Sequence, residues 1–174
     1  MTIHETSFGN LDGQRAVVTG SSSGIGRAIA LELACAGADV VVHCRQQLEL
    51  AEELAVRIRG IGRRAAVLSA NLGDADESKR FVEDAWDSLG GIDVWVNNAG
   101  ADLLTGKLAQ ASYSEKTQTL FDVDVRSTLQ LSRDVGTRMS AANGGTIINI
   151  GRDQADRGMA GESGDLFAAS KNAI

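Results

Sequence analysis

Apolar positions along the chain fall into two kinds of run. Five runs are of strand length and rich in Val, Ile or Ala: Arg15 to Thr19, Asp39 to Cys44, Arg64 to Ala70, Asp93 to Asn97 and Thr146 to Ile150. Short continuous runs of this kind predict strands buried on both faces. Between them, apolar residues recur at helical spacing over Gly24 to Ala36, Gln46 to Gly60, Ala75 to Leu89 and, after a loop from Gly100, a long segment from about Ser114 to Ala141. A last helix is expected to begin near Leu166 and to be still incomplete at Ile174. Strand and helix alternate throughout. Parallel strands need crossover helices, and those crossovers are right-handed, so the pattern predicts an α/β, Rossmann-type doubly wound parallel sheet with helices on both faces.

Composition narrows this picture. With 174 residues, 43% of them hydrophobic, the chain suits one core and is short for two. A single domain over residues 1–174 is expected, as the N-terminal portion of a longer domain that is incomplete at its C-terminus. Proline is absent and 20 glycines supply the punctuation. The net charge of -6, with no run of Lys and Arg, argues against nucleic acid as a partner. No run approaches the length of a membrane span, and the opening Met1 to Asn10 has no apolar core, so a cytoplasmic location without membrane contact is expected. Cys35 and Cys44 lack metal-ligand spacing and lie in apolar patterns, which predicts core packing for both and no metal site.

The chemistry gathers first at Thr19-Gly20-Ser21-Ser22-Ser23-Gly24-Ile25-Gly26, between the first strand and the first helix. A turn this tight needs glycine at Gly20, close approach of a pyrophosphate needs no side chain at Gly24, and close helix-on-strand packing needs Gly26. Free N–H groups and the macrodipole at the helix start favour an anion, and Ser22 and Ser23 add hydroxyl donors. A tight strand-to-helix turn with no ligand is the plainer reading; the position after the first strand of an alternating pattern favours a dinucleotide.

Thr-Gly-x-x-x-Gly-x-Gly, together with Asn97-Asn98-Ala99-Gly100 at the end of the fourth strand, resembles the short-chain dehydrogenase/reductase family, of the classical, 3-oxoacyl reductase-like type. The similarity continues through Gly145 to Ile150 and on to Ala169-Ser170-Lys171, so it covers nearly the whole chain. The resemblance implies a nicotinamide dinucleotide held by Gly20, Ser22, Ser23, Gly24, Ile25, Gly26, Arg45, Asn71, Leu72, Asn98, Ala99, Gly100 and Lys171. It also implies that Ala99 and Gly100 let backbone approach the adenosine side. Two readings stand for Asn97, capping of the strand end or a part in binding; for Asn98 the binding reading is preferred. Asn71 lies where similar proteins often carry an Asp near the adenine, and its amide can still accept a hydrogen bond.

NAD-specific domains usually end the second strand with an acidic residue on the ribose 2′-hydroxyl, whereas here the strand ends His43-Cys44-Arg45. Arg45 can pair with a 2′-phosphate, so NADP is expected as the cofactor, with NAD as the lesser possibility. The plainer reading of Arg45 is a solvated surface charge. His43 is expected to be a packed or hydrogen-bonded strand residue and not a base.

The resemblance also implies a catalytic set: an Asn in the long helix, a Ser just past the fifth strand, and a Tyr four residues before a Lys. Lys171 is present, but the Tyr position is Phe167, the Ser position Arg152 and the Asn position Asp124. The only tyrosine, Tyr113, lies far upstream. Asp124 is either an ion-pair partner that holds Lys171 for ribose contact or a solvated helix carboxylate. Arg152 has the planar fork to recognise a substrate carboxylate or phosphate. Three functions remain open. The first is an NADP(H)-binding homologue with weak or no carbonyl reduction. The second is an active NADP-dependent oxidoreductase of a small carbonyl or alcohol, using Glu162 or Asp165 from the loop before Phe167 as a substitute acid. The third is a scaffold that binds no cofactor. Family resemblance of the long helix and the helix near Leu166 implies a homo-oligomer.

Overall fold

The computed structural model describes residues 9–151 and 160–174. Five strands form one parallel sheet: β1 (Arg15–Val18), β2 (Asp39–Cys44), β3 (Ala65–Ser69), β4 (Val94–Asn97) and β5 (Thr146–Asn149), in the order β3-β2-β1-β4-β5. The helices are α1 (Gly24–Cys35), α2 (Leu48–Gly60), α3 (Ala75–Leu89), a short α4 (Gly106–Ala109), α5 (Tyr113–Leu120), α6 (Ser127–Ala141) and α7 (Glu162–Asn172). This is the Rossmann-type doubly wound arrangement that the alternation predicts.

Strand periodicity sorts the core into two layers. Successive side chains of a strand point to opposite faces. Ala16 and Val18 of β1, Val40 and Val42 of β2, and Val96 of β4 therefore pack with Ala30, Ala34, Leu54 and Ile58 of α1 and α2. Val17, Val41 and Trp95 point the other way and pack with Phe81 and Ala85 of α3 and Leu131 and Val135 of α6. Leu54 and Ile58 of α2 are fully buried in this layer, and each such side chain contributes about 1.5–3 kcal/mol. The strand order reverses direction at β1, so a crevice opens between the C-terminal ends of β1 and β4. Ligands of open α/β sheets bind at that kind of switch point.

Several expectations need correction. Not all five strands are buried on both faces: β3 and β5 are the sheet edges, β3 is half-exposed and most of β5 is exposed. An apolar run has the same appearance in the centre of a sheet and at its edge. The segment expected as one helix from Ser114 to Ala141 contains a π-helical stretch, Phe121–Arg126, between α5 and α6. The last helix begins at Glu162, not near Leu166, because Gly161, at φ 89°, sets its start. Glu162 and Asp165 thus lie in the first turn of α7 and not in a loop. Cys44 is buried as expected, but Cys35, the last residue of α1, is exposed.

Candidate functional site at the switch point

The crevice is built by two turns that hold each other. Thr19, buried at the end of β1, accepts the backbone N–H groups of Asn98 and Ala99 on its hydroxyl, both at 2.9 Å. Asn98 Nδ2 in return donates to Thr19 O at 2.9 Å and to Gly20 O at 3.2 Å. The Asn98 side chain therefore joins the two turns to each other. A Cβ on Gly20 would lie 2.9 Å from Ala99 Cα, and one on Gly26 would lie 2.4 Å from both Gly20 O and Asn98 Nδ2. Both glycines are dictated by close approach. Gly24 differs: at φ 57° it has nothing within 4 Å of its missing side chain. Open space before a glycine at a helix start is the cradle a pyrophosphate requires.

Around this cradle Ser22 is buried and donates to Gln47 Oε1 at 3.2 Å, while Ser23, the N-cap of α1, is exposed and makes no capping bond with its side chain. The first N–H groups of α1 therefore remain available to an anion. Ile25 is 67% exposed at the mouth, a large apolar side chain placed where a ligand face could cover it. Arg45 is exposed just past β2, and among the described residues no carboxylate pairs with its guanidinium. Asn71 Oδ1 accepts the Gly73 N–H at 3.3 Å and Leu72 is buried beside it, so the turn after β3 is held locally. Asn97 points to the α6 side of the sheet, where it accepts Trp95 Nε1–H at 2.8 Å and donates to Ser132 Oγ and Asn149 Oδ1. Its side chain joins β4, β5 and α6.

His43 is buried near the end of β2; burial pushes its ring pKa down to about 4 against the opposing bond to Ala70 O. The ring is neutral at ordinary pH and has the bonded strand role expected of it. Two contributors went without a role in the sequence reading, Thr19 and Ser21. The available signal was position alone, since both flank Gly20 in the turn motif.

At the far end of the crevice Asp124, 1% exposed, turns inward from the π-helical stretch. Its Oδ2 lies 3.3 Å from Lys171 Nζ of α7, and its Oδ1 accepts the Ala101 N–H at 2.8 Å. Of the two readings left open, the ion pair is the one found. Desolvation by burial pushes the Asp124 carboxyl above the ordinary carboxylate range, although the Ala101 N–H and the Lys171 charge both act to lower it. Gly100 leaves room for this carboxylate, since a Cβ there would stand 3.0 Å from Oδ2. Phe167 packs against the small apolar cluster of Leu103, Leu120 and Leu166. Glu162 is tied to Lys116 Nζ at 2.8 Å, and Tyr113 is exposed at the start of α5. Arg152 lies outside the described residues.

The profile of the short chain dehydrogenase family matches residues 14–174. The chain belongs to the short chain dehydrogenase family. The chain is 37% identical over 147 residues to a short-chain type dehydrogenase/reductase of Picea abies, covering 80% of this chain and 54% of that one. It is 33% identical over 165 residues to a 3-oxoacyl-[acyl-carrier-protein] reductase of Synechocystis, covering 94% of this chain and 65% of the relative. Among solved structures, a short chain dehydrogenase of Burkholderia cenocepacia in complex with NADP superposes with a TM-score of 0.83 at 36% identity, covering 94% of this chain and 65% of that one. The chain thus spans between about half and two-thirds of the length of these relatives.

Proposed function

We propose that this chain is an NADP(H)-binding short chain dehydrogenase homologue with weak or no ordinary carbonyl-reductase activity, working in the cytoplasm as a homo-oligomer. The observation that carries the reading is the Asp124–Lys171 ion pair beside an apolar Phe167. When bound, the reduced nicotinamide supplies hydride; the protein must supply a proton to the carbonyl oxygen. Phe167 has no proton to give, and the ammonium of Lys171 is held by a buried carboxylate. Acid–base catalysis contributes roughly 10²- to 10⁴-fold in typical enzymes, and that factor is forfeited here. Glu162 is a poor substitute acid because its carboxylate is engaged by Lys116. The open cradle at Gly24 and the uncapped start of α1 favour cofactor binding over a scaffold. Arg45, which has no carboxylate partner among the described residues, favours NADP over NAD.

Two measurements test this. Calorimetric titration is expected to give tighter binding of NADPH than NADH, with the difference lost in Arg45→Ala; equal affinities refute the preference. NADPH oxidation against small ketones and 3-oxoacyl thioesters is expected to be weak for the wild type and for Phe167→Tyr alone. Residues that act as a unit are strongly non-additive, so activity should appear mainly in the triple variant Asp124→Asn, Arg152→Ser, Phe167→Tyr. A wild type turning over at an ordinary rate of roughly 1 to 10³ s⁻¹ refutes the degenerate-site reading.

A further inference from the structure

The His43 ring connects three segments that line the crevice. Its Nδ1 accepts the Gly20 N–H at 2.9 Å, and its Nε2 lies 3.1 Å from Ala70 O. A nitrogen that accepts from an amide is unprotonated, and one that faces a carbonyl carries the proton, so the two contacts fix the Nε2–H tautomer. The main chain of the same residue holds the next position of the turn. Ser21 N–H donates to His43 O at 2.8 Å, His43 N–H donates to Ser21 Oγ at 3.0 Å, and Ser21 Oγ–H donates to Val18 O at 2.7 Å. Phe81 of α3 packs against the ring with centroids 4.6 Å apart and the planes tilted by 53°.

We propose that His43 is a positioning residue for the cofactor, which holds the first glycine of the turn in register with the end of β3. Gly20 stands at φ 63°, where the direction of its amide is decided by what that amide donates to. Bonded to His43, the Gly20 N–H points into the sheet and is withdrawn from the crevice. The phosphate donors are then the free N–H groups farther along, at the start of α1. The other end of the ring fixes Ala70, directly before Asn71 and Leu72. The pyrophosphate turn and the adenosine-side turn are thereby set by one side chain. This rests on the reading of the crevice as a dinucleotide site.

Two experiments on the 174-residue chain test it. In ¹⁵N NMR of the ligand-free protein, His43 should show the Nε2–H tautomer and the Gly20 amide should exchange slowly, with neither changing on addition of NADP⁺. An Nδ1–H tautomer, or a Gly20 amide protected only by NADP⁺, overturns the proposal. In NADPH titrations, His43→Asn and His43→Leu separate positioning from packing. Asn puts a carbonyl oxygen near the place of Nδ1, whereas Leu keeps bulk alone and leaves a buried donor unpaired. His43→Asn should bind within about threefold of wild type, and His43→Leu about tenfold or more weaker. Equal affinities of the two folded variants refute positioning through Gly20. Should a variant fail to fold, the NMR result decides. Should wild type bind no NADPH, the dinucleotide reading fails, while the tautomer and the exchange rate still judge the His43–Gly20 contact.

Discussion

At the scale of single residues, the two buried ionisable groups at the crevice have been treated in opposite ways. Asp124 keeps an ion pair and a backbone donor, and burial still moves its carboxyl upward. His43 has no charged partner among its contacts and stays neutral, its pKa lowered to about 4 by desolvation. That shift ties stability to pH with a definite sign. Because the folded-state value lies below the ordinary 6.5, the unfolded chain binds the extra proton first. The contribution is fully present above about pH 6.5 and is lost as pH falls toward 4, amounting to about 3 kcal/mol over that window. Urea unfolding of wild type and His43→Asn between pH 7 and pH 4 is expected to show a steeper decline for wild type. Parallel profiles would mean that the histidine is not the group responsible. Asp39 and Asp93, lowered chiefly by Arg64 and Arg15 against desolvation, act in a more acid range, because their stabilisation is lost as pH falls below the ordinary carboxylate value.

At the scale of elements, glycine decides how closely α1 can sit on the turn that precedes it. Gly26 is packed against the Gly20 carbonyl, and because the obstructing atom is backbone, an added methyl can be relieved only by moving the helix. Gly26→Ala is expected to cost roughly 1–3 kcal/mol and to weaken NADPH binding together with stability. Gly60, in the last turn of α2, has open space where its side chain would be, so Gly60→Ala should be neutral or stabilising by about 0.4–1 kcal/mol. Equilibrium unfolding of the two variants gives the comparison, and a harmless Gly26→Ala would refute the close-packing argument. The π-helical stretch is the other element-level device. It lies where Leu120 and Asp124 both turn inward, the first to the apolar cluster with Leu166 and the second to Ala101 and Lys171. Stretches of this kind occur frequently at functional sites.

At the scale of the whole molecule, an apolar helical face is exposed among the described residues. Phe121, Val125 and Leu129 follow one another at four-residue spacing on the outer side of the π-helical stretch and α6, with Phe121 and Leu129 exposed. Asp122 flanks the start of this stripe and Arg133 its end. An antiparallel pairing of two copies would bury the apolar stripe, while Asp122 stays paired with Arg126 of its own chain at 3.3 Å. A homo-oligomer is therefore expected in light scattering across a range of concentrations, and Leu129→Glu should shift it to monomer. A wild type that is monomeric throughout would remove the oligomer from the proposed function. Among the described residues no helix is long and apolar enough to cross a membrane.

The sequence by itself determined the five strands, the main helices and the glycine-rich turn, because these depend on local periodicity and on backbone conformations that only glycine adopts easily. Alternation of Val17 against Ala16 and Val18 already contained the two core layers. It also marked Phe167 and Asp124 as departures from the family pattern, since a missing hydroxyl or amide is read directly from residue identity. Only the tertiary structure decided what those residues touch. Edge and central strands carry similar apolar runs, so the exposure of β3 and β5 depended on the order of the sheet. The two readings of Asp124 were separated by its contact with Lys171, 47 positions away, and the bonds of Asn97 to Ser132 and Asn149 appear only in the folded chain. His43 gained its second partner, Gly20, in the same way. Hydrogen bonds between residues distant in the chain leave no periodic trace, because a single side chain makes them once.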